Sequence, residues 1–313
     1  MSRWRIIFVA AVLLAGCART PDDSAILPPV PKGAQAVSLA GRPLFPAEPS
    51  PEARQKHDAA RKAAAADPAS ADALVWQGRW AAYTGDYREA IRVFTRGIGK
   101  FPSDARFYRH RGHRYISVRE FGRAVRDLEK AVSLIEGKPD EIEPDGAPNP
   151  RGIPVSTLHS NIFYHLGLAY FLGNDLEKAL SVYRKGLETA PNDDMRVATA
   201  HWLYMTLRLL GREDAARQAL EPVHADMDVI ENGVYHRLLL FYKGEIVADA
   251  VAAEEEAATT NDAAAFGLAN WRFYSGDRDG AREILAAILN GEGWASFGFI
   301  AAEAAWARDF VGY

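Results

Sequence analysis

The chain has 313 residues, of which 48% are hydrophobic, 25% charged and 11% aromatic, with a formal net charge of −4. That is ordinary globular composition, and it excludes a wholly disordered, collagen-like or polytopic membrane protein. The single cysteine, Cys17, excludes an intramolecular disulfide and every multi-cysteine zinc or iron–sulfur arrangement. Prolines are uneven: eight of 17 lie between Pro21 and Pro51 and five more between Pro139 and Pro154, so those two segments are expected to be non-helical.

At the N-terminus, Arg3 and Arg5 form a positive region, Ile6 to Leu14 an apolar run, and Leu14-Ala15-Gly16-Cys17 follows at once. This is the organisation of a secretory signal peptide, and the run is too short to span a bilayer as a permanent helix. The tetrapeptide resembles a bacterial lipobox. The resemblance implies a signal peptide over 1–16, cleavage before Cys17 and lipidation of that residue, and Ala18 in the following position favours the outer membrane over the inner. Several acyl chains would meet the requirement that stable anchoring takes more than one lipid. Removal of 1–16 leaves 35 basic against 41 acidic residues, net −6, which argues against a nucleic-acid partner. The charge is divided: Arg79 to Lys130 holds 13 basic against 6 acidic residues, net +7, and Glu221 to Tyr313 holds 6 against 16, net −10.

Residues 17–51 read as a lipidated, Pro-rich tether without helical periodicity, able to reach roughly 90 Å if polyproline-like. Its apolar stretches, Ala36-Val37-Ser38-Leu39 and Pro43-Leu44-Phe45, allow it equally to lie on the folded body. Beyond it a 34-residue spacing recurs: Gly78 and Gly112, Tyr87 and Phe121, Ala90 and Ala124, Phe94 and Leu128, Gly97 and Ala131. The series returns as Gly167, Tyr170, Leu176, Ala179, Tyr183, Gly186 and Pro191, displaced by 55, which is one period plus a 21-residue insertion.

These residues resemble the tetratricopeptide repeat, with a small residue in the first helix, a turn such as Gly85-Asp86-Tyr87, Gly173-Asn174-Asp175, Gly211-Arg212-Glu213 or Gly276-Asp277-Arg278, and an Ala in the second helix. Arg119-Glu120-Phe121 departs from the glycine turn. The resemblance implies an all-α, right-handed superhelical solenoid of antiparallel helix pairs over 52–313, in which neighbouring pairs must stack to bury both faces. The spacing predicts an opening helix at 52–66, repeats near 71–104, 105–138, 160–193, 197–227, 230–260 and 262–290, a closing helix at 292–308 and an insertion loop at 136–158.

No nucleophile elbow, Walker loop, H-E-x-x-H or dinucleotide fingerprint is present, so no enzyme, cofactor or metal site is expected. His110 and His113 stand three apart, a spacing that turns only one of them fully into a groove. In the resembled fold the first helices line the concave surface, and the register predicts that Arg79, Arg106, Arg109, His113, Asn161, Tyr164 and His201 face it. Guanidiniums on a rigid groove suit a carboxylate or phosphate, as on a peptide terminus or an anionic cell-wall fragment. The acidic insertion, with Asp140, Glu141, Glu143 and Asp145, offers the competing outcome of internal pairing. Lipobox, repeats and the Phe241 to Glu245 segment together are similar to bacterial tetratricopeptide-repeat lipoproteins, loosely of the NlpI type. That implies a non-enzymatic adaptor for a protein or peptide in the envelope, facing the periplasm. The alternatives are a subunit of an outer-membrane assembly or secretion complex, and a groove receptor for an anionic small molecule or peptidoglycan fragment.

Overall fold

The computed structural model describes residues 27–251 and 258–310. Cys17 and the lipobox lie outside the described residues, as do 17–26 of the expected tether. The described residues form fourteen helices and one two-stranded ribbon.

The helices follow from capping and from small residues at crossings. Helix α1 (Pro51–Ala66) opens with Ser50 Oγ accepting from the Ala53 amide and Pro51 at the first helical position, where its missing N–H is no loss. Antiparallel pairs follow: α2 (Ala71–Tyr83) with α3 (Tyr87–Lys100), α4 (Ala105–Ser117) with α5 (Phe121–Ile135), and α6 (Leu158–Leu172) with α7 (Leu176–Glu188). Next come α8 (Asp193–Leu209) with α9 (Glu213–Leu220), α10 (Gly233–Lys243) with the single turn α11 (Ala248–Val251), α12 (Ala258–Tyr274) with α13 (Arg278–Asn290), and finally α14 (Phe297–Asp309). Asp86, Asp104, Asp175, Asn192, Asp277 and Ser296 cap six of these helices through their side chains.

The 34-residue period has a steric cause. A Cβ on Gly78 would lie 2.3 Å from the Phe94 ring, one on Gly112 2.7 Å from Leu128, and one on Gly167 2.3 Å from Tyr183. Each first helix thus presents bare backbone to a large side chain of its own second helix. Ala90, Ala124, Ala179, Ala216 and Ala281 are fully buried at the equivalent contact. First helices touch one another in series, α2 to α4, α4 to α6 and α6 to α8, and so form the inner layer.

Two turns place a residue other than glycine at the left-handed position. In the third pair the left-handed position belongs to Asn174 (φ 62°), while Gly173 ends the helix at φ −80°. In the second pair Arg119 occupies that position with φ 65°, where Gly85 and Gly211 stand in their repeats. A non-glycine residue there is strained and must be held by its surroundings.

The course of the first described residues also becomes definite. Residues 27–50 lie on the helices and do not stand off as a tether. Strands β1 (Ala36–Val37) and β2 (Pro43–Leu44) pair antiparallel, with Ala36 opposite Leu44. Leu27, Ala36 and Leu44 are buried in the main core. Arg88 holds the segment through its amide to Gln35 Oε1 (3.0 Å) and Nη2 to the Pro28 carbonyl (2.9 Å). Trp294 Nε1 donates to the Phe45 carbonyl at 2.6 Å, tying the strap to the approach of α14. Proline here favours an extended, fixed path, which a strap uses as readily as a tether does.

Candidate binding site

The concave surface is partly filled by the chain itself. Helix α14 touches α6 as well as α12. Its Phe297 ring lies 5.2 Å from His113, 5.6 Å from His165 and 6.1 Å from Tyr164, centroid to centroid. Its Glu303 pairs with Arg119 at 2.8 Å, with the two side chains 5% and 3% exposed. Arg119 also donates to the carbonyls of Ser117 (2.6 Å) and Trp294 (2.7 Å), and this threefold anchorage holds its left-handed backbone in place. Trp294 meets Tyr87 edge to face at 5.6 Å. The predicted closing helix is therefore more than an end cap: it bridges back to the second and third pairs.

Beside Phe297, a cavity of about 170 Å³ stays open between α2, α4, α6 and the insertion. It is lined by Arg79, Tyr83, Arg109, His110, His113, Arg114, Glu143, Asp145, Ser156 and Asn161, among others. The insertion reaches it from the side. Glu143 Oε1 forms an ion pair with Arg109 Nη2 at 2.9 Å, with both side chains under 10% exposed. Arg79 donates through Nη1 to the Pro144 carbonyl (2.5 Å) and through Nη2 to Tyr83 Oη (3.2 Å), and lies over the Trp76 ring at 4.4 Å. Gly146 sits so close to the Tyr83 ring that a Cβ would approach it to 2.6 Å. The insertion is pinned by the Ile142–Thr157 bridge and, farther out, by Arg151 to Asp228 (2.6 Å) and Asn149 to Glu231 (2.6 Å).

The imidazoles are neutral. Arg109 Nη1 donates to His110 Nδ1 at 2.9 Å, and because guanidinium cannot accept, the ring hydrogen of His110 sits on Nε2. Burial, reinforced by the surrounding arginines, pushes both His110 and His113 well below the usual histidine range. His110 stacks on Phe94 (5.3 Å) and His113 against His165 (4.2 Å), so the two rings serve different contacts. No group of three metal-ligating side chains converges among the described residues.

Of the seven residues predicted to face the groove, the structure brings four, Arg79, Arg109, His113 and Asn161, to this cavity. Arg106 is elsewhere: in the first turn of α4 it turns to the helix edge, where Asp104 (2.7 Å) and Asp72 (2.6 Å) hold it. Tyr164 and His201 are core. Trp202 Nε1 donates to Tyr164 Oη (3.0 Å), and His201 stacks on Tyr235 (4.7 Å), its pKa lowered by burial to about 3. Among the insertion acids, Glu143 and Asp145 reach the cavity. Asp140 instead accepts from the His159 amide (3.0 Å) at the start of α6, and Glu141 contributes its carbonyl to the Leu158 amide (2.8 Å).

Sequence reasoning missed Arg114, His110 as a cavity residue, and Tyr83. Tyr83 follows Arg79 by four and His110 follows Arg106 by four, so an i, i+4 search from the predicted residues finds those two, and Arg114 lies one further step of four beyond His110. Arg114 lies over the Tyr87 ring at 5.3 Å and forms no ion pair among the described residues, and burial lowers its pKa to about 10.

Residues 72–104 and 160–193 each match a family model described as tetratricopeptide repeat. Small glutamine-rich tetratricopeptide repeat-containing protein 2 of Saccharomyces cerevisiae is 28% identical over 120 residues, which is 38% of this chain and 29% of that protein. Sperm-associated antigen 1 of Mus musculus is 26% identical over 123 residues, 39% of this chain and 11% of that protein. The chain thus spans less than a third of the length of these curated relatives. Similar solved structures include YrrB, described as a TPR protein with an unusual peptide-binding site (16% identity, 80% of this chain and 99% of that one, TM-score 0.44). Another is pilF of Pseudomonas aeruginosa (16% identity, 79% and 89%, TM-score 0.46). Residues 72–104 and 160–193, which match the tetratricopeptide-repeat models, are the helix pairs α2–α3 and α6–α7 of an all-α solenoid of antiparallel helix pairs.

Proposed function

We propose that this chain is a non-enzymatic scaffold that holds a protein or peptide partner at the bacterial envelope, anchored by lipid on Cys17 in the outer membrane and facing the periplasm. The observation that carries the binding half is the arginine-lined cavity, since rigid first helices present Arg79, Arg109 and Arg114 to one space. Guanidiniums held on fixed helices recognise anions at small entropic cost, because their forks are already oriented. The lipobox Leu14 to Cys17 supports the envelope half.

Two measurements test this reading. Crosslinked pull-down from intact envelopes should recover partners with the unaltered chain and recover markedly less with Arg109→Glu, which places a like charge opposite Glu143. Equal capture by the variant sinks the cavity as the partner site. Metabolic palmitate labelling should vanish in Cys17→Ser, and labelling that persists there removes the lipid anchor.

A further inference from the structure

The second helices of the pairs form the outer, convex layer, and charge is unevenly spread over it. On α3, Ala90, Ile91, Val93, Phe94 and Gly97 are buried, while Arg88, Arg92, Arg96 and Lys100 recur every fourth residue. Steps of four keep these side chains on one slowly turning stripe, about 18 Å long. Arg92, Arg96 and Lys100 are exposed. The one carboxylate of this helix, Glu89, is shared between Arg92 (2.7 Å) and Arg96 (3.8 Å), and Lys100 donates to the Pro68 carbonyl (3.0 Å). Helix α5 extends the stripe. Its exposed Arg126 and Lys130 stand one 34-residue period after Arg92 and Arg96, and Arg111 donates both to Thr95 of α3 (3.0 Å) and to Asp127 of α5 (2.6 Å), so the two helices are neighbours there. Farther along the layer acids match or outnumber bases: Glu213 and Asp214 against Arg217 on α9, and Asp279 and Glu283 against Arg278 and Arg282 on α13.

The strap reaches the body at the head of this stripe. Leu27 is buried in the main core, and Arg88, in the first turn of α3, donates through Nη2 to the Pro28 carbonyl at 2.9 Å. Ten residues separate Cys17 from Leu27, and ten residues span at most about 36 Å. A lipid on Cys17 therefore holds the first turn of α3 within about that distance of the bilayer, whatever course those ten residues take. The reach matters because the chain from Cys17 onward has a net charge of −6, and the same charge spread evenly would be repelled by an anionic surface. Fields between exposed charges fade over about 8 Å at physiological ionic strength, so a surface lying on α3 meets the local surplus of bases and not the sum.

We propose that the convex face of α3 and α5 is a membrane-docking surface that lies on the anionic headgroups of the bilayer holding the Cys17 lipid. The inference rests on the lipid-anchor reading and adds the orientation of the body: the outer layer sits against the bilayer, and the inner layer with its cavity turns away from it, toward partners. Each basic side chain near an anionic bilayer raises partition about fivefold, which makes such a stripe a weak binder by itself. The tether supplies the rest, because a weak contact held within reach of its surface by a short linker works at high effective concentration.

The test uses the processed chain, residues 17–313 with Cys17→Ser, so that neither the apolar run Ile6 to Leu14 nor a lipid contributes, and vesicles of phosphatidylcholine alone or with about one third phosphatidylglycerol. Sedimentation at low salt should recover the chain with the anionic vesicles and not with the neutral ones, and raising the salt should abolish the binding. Arg92→Gln combined with Arg96→Gln should weaken partition roughly 25-fold, whereas Arg184→Gln combined with Lys185→Gln on α7, which removes the same charge, should leave it within about threefold. All four positions are exposed, so both variants should keep the parent's melting temperature. Equal recovery on the two kinds of vesicle, or equal loss in the two double variants, overturns the proposal. A second measurement needs no variant: in the acylated chain reconstituted in the anionic vesicles, acetylation of Lys100 and Lys130 should be slowed relative to the vesicle-free chain and that of Lys185 unchanged, and equal rates at all three overturn docking. A loss of envelope partners in the α3 double variant with vesicle partition unchanged assigns the stripe to a protein and also overturns it. Selective vesicle binding by a chain whose Cys17 takes no palmitate keeps this surface and loses the anchor. Labelling of Cys17 without that selectivity keeps the anchor and loses this surface.

Discussion

Glu303→Ala tests whether the solenoid is closed by a specific clamp or by general hydrophobic contact. Glu303 and Arg119 are 184 positions apart, 2.8 Å from each other, and almost wholly shielded from water. Removing the carboxylate leaves Arg119 buried with only the Ser117 and Trp294 carbonyls, both neutral acceptors. Breaking one side of a buried ion pair costs about 3–5 kcal/mol, several times the worth of an exposed pair such as Lys185–Glu188. With about 2–4 °C of melting temperature per kcal/mol for a domain of this size class, the transition should fall by about 6 °C or more. Arg119 also holds a left-handed backbone that relaxes once its side chain is released, so amides of α14 and of the Val118–Glu120 turn should exchange before those of α5. Thermal melts with hydrogen exchange followed by mass spectrometry read both effects, and Lys185→Ala serves as the exposed control. A loss under about 1 kcal/mol, or uniform exchange across all helices, refutes the clamp and leaves α14 as an ordinary cap.

Three further changes probe other layers. Gly78→Ala forces a Cβ to within 2.3 Å of the fully buried Phe94 ring and should cost about 1–3 kcal/mol in urea denaturation, whereas Gly99→Ala, with nothing within 4 Å, should gain about 0.5 kcal/mol; equal effects would remove the steric account of the period. His201 has a folded pKa of about 3 against about 6.5 unfolded, so the unfolded chain binds the extra proton between those values; its contribution is intact above pH 6.5 and falls by about 1.4 kcal/mol per pH unit below it. Stability of His201→Phe should therefore decline less steeply from pH 6 to pH 4 than that of the parent, and parallel curves count against the assignment. Trp294→Phe deletes the bond to the Phe45 carbonyl and should cost about 1 kcal/mol while speeding tryptic cleavage after Lys32; unchanged cleavage there would show that the strap is held by other contacts.

What the sequence discloses and what it hides divide by range. The pairing of Gly78 with Phe94 and of Gly167 with Tyr183 is visible because both partners lie in one repeat, sixteen residues apart, and recur. The closure is not visible. Arg119 with Glu303, and Trp294 with Phe45, are single contacts across the whole chain and leave no period behind. Arg119 looks like a lapse in the turn pattern because the missing glycine is local, while its reason is distant. Extrapolating the register also overreaches at the ends of helices: Arg106 sits in a first turn beside its own cap Asp104 and is captured there. Tyr164 and His201 fail for another reason. They occupy inward positions, but α10, α12 and α14 cover those positions, and an inner face that is covered becomes core.

That covering gives the charge division a physical consequence. The basic first half and the acidic second half are brought together when α14 returns to α4 and α6, and among the described residues the pairs that join them include Arg119 with Glu303, buried, with Arg151 of the insertion and Asp228 adding an exposed one. Exposed charges farther apart than about 8 Å are screened at physiological ionic strength, so most of the imbalance draws the halves together weakly and without geometry. Specificity of closure then rests on the desolvated pair and on Phe297 among His113, His165 and Tyr164. Salt should accordingly weaken the insertion's outer fastening, Arg151 with Asp228, well before it loosens α14. The cavity at Arg109 lies between the first helices α2, α4 and α6 and the insertion, so its arginines stand on the packed inner layer while Glu143 arrives from a segment whose outer fastening to Asp228 is exposed.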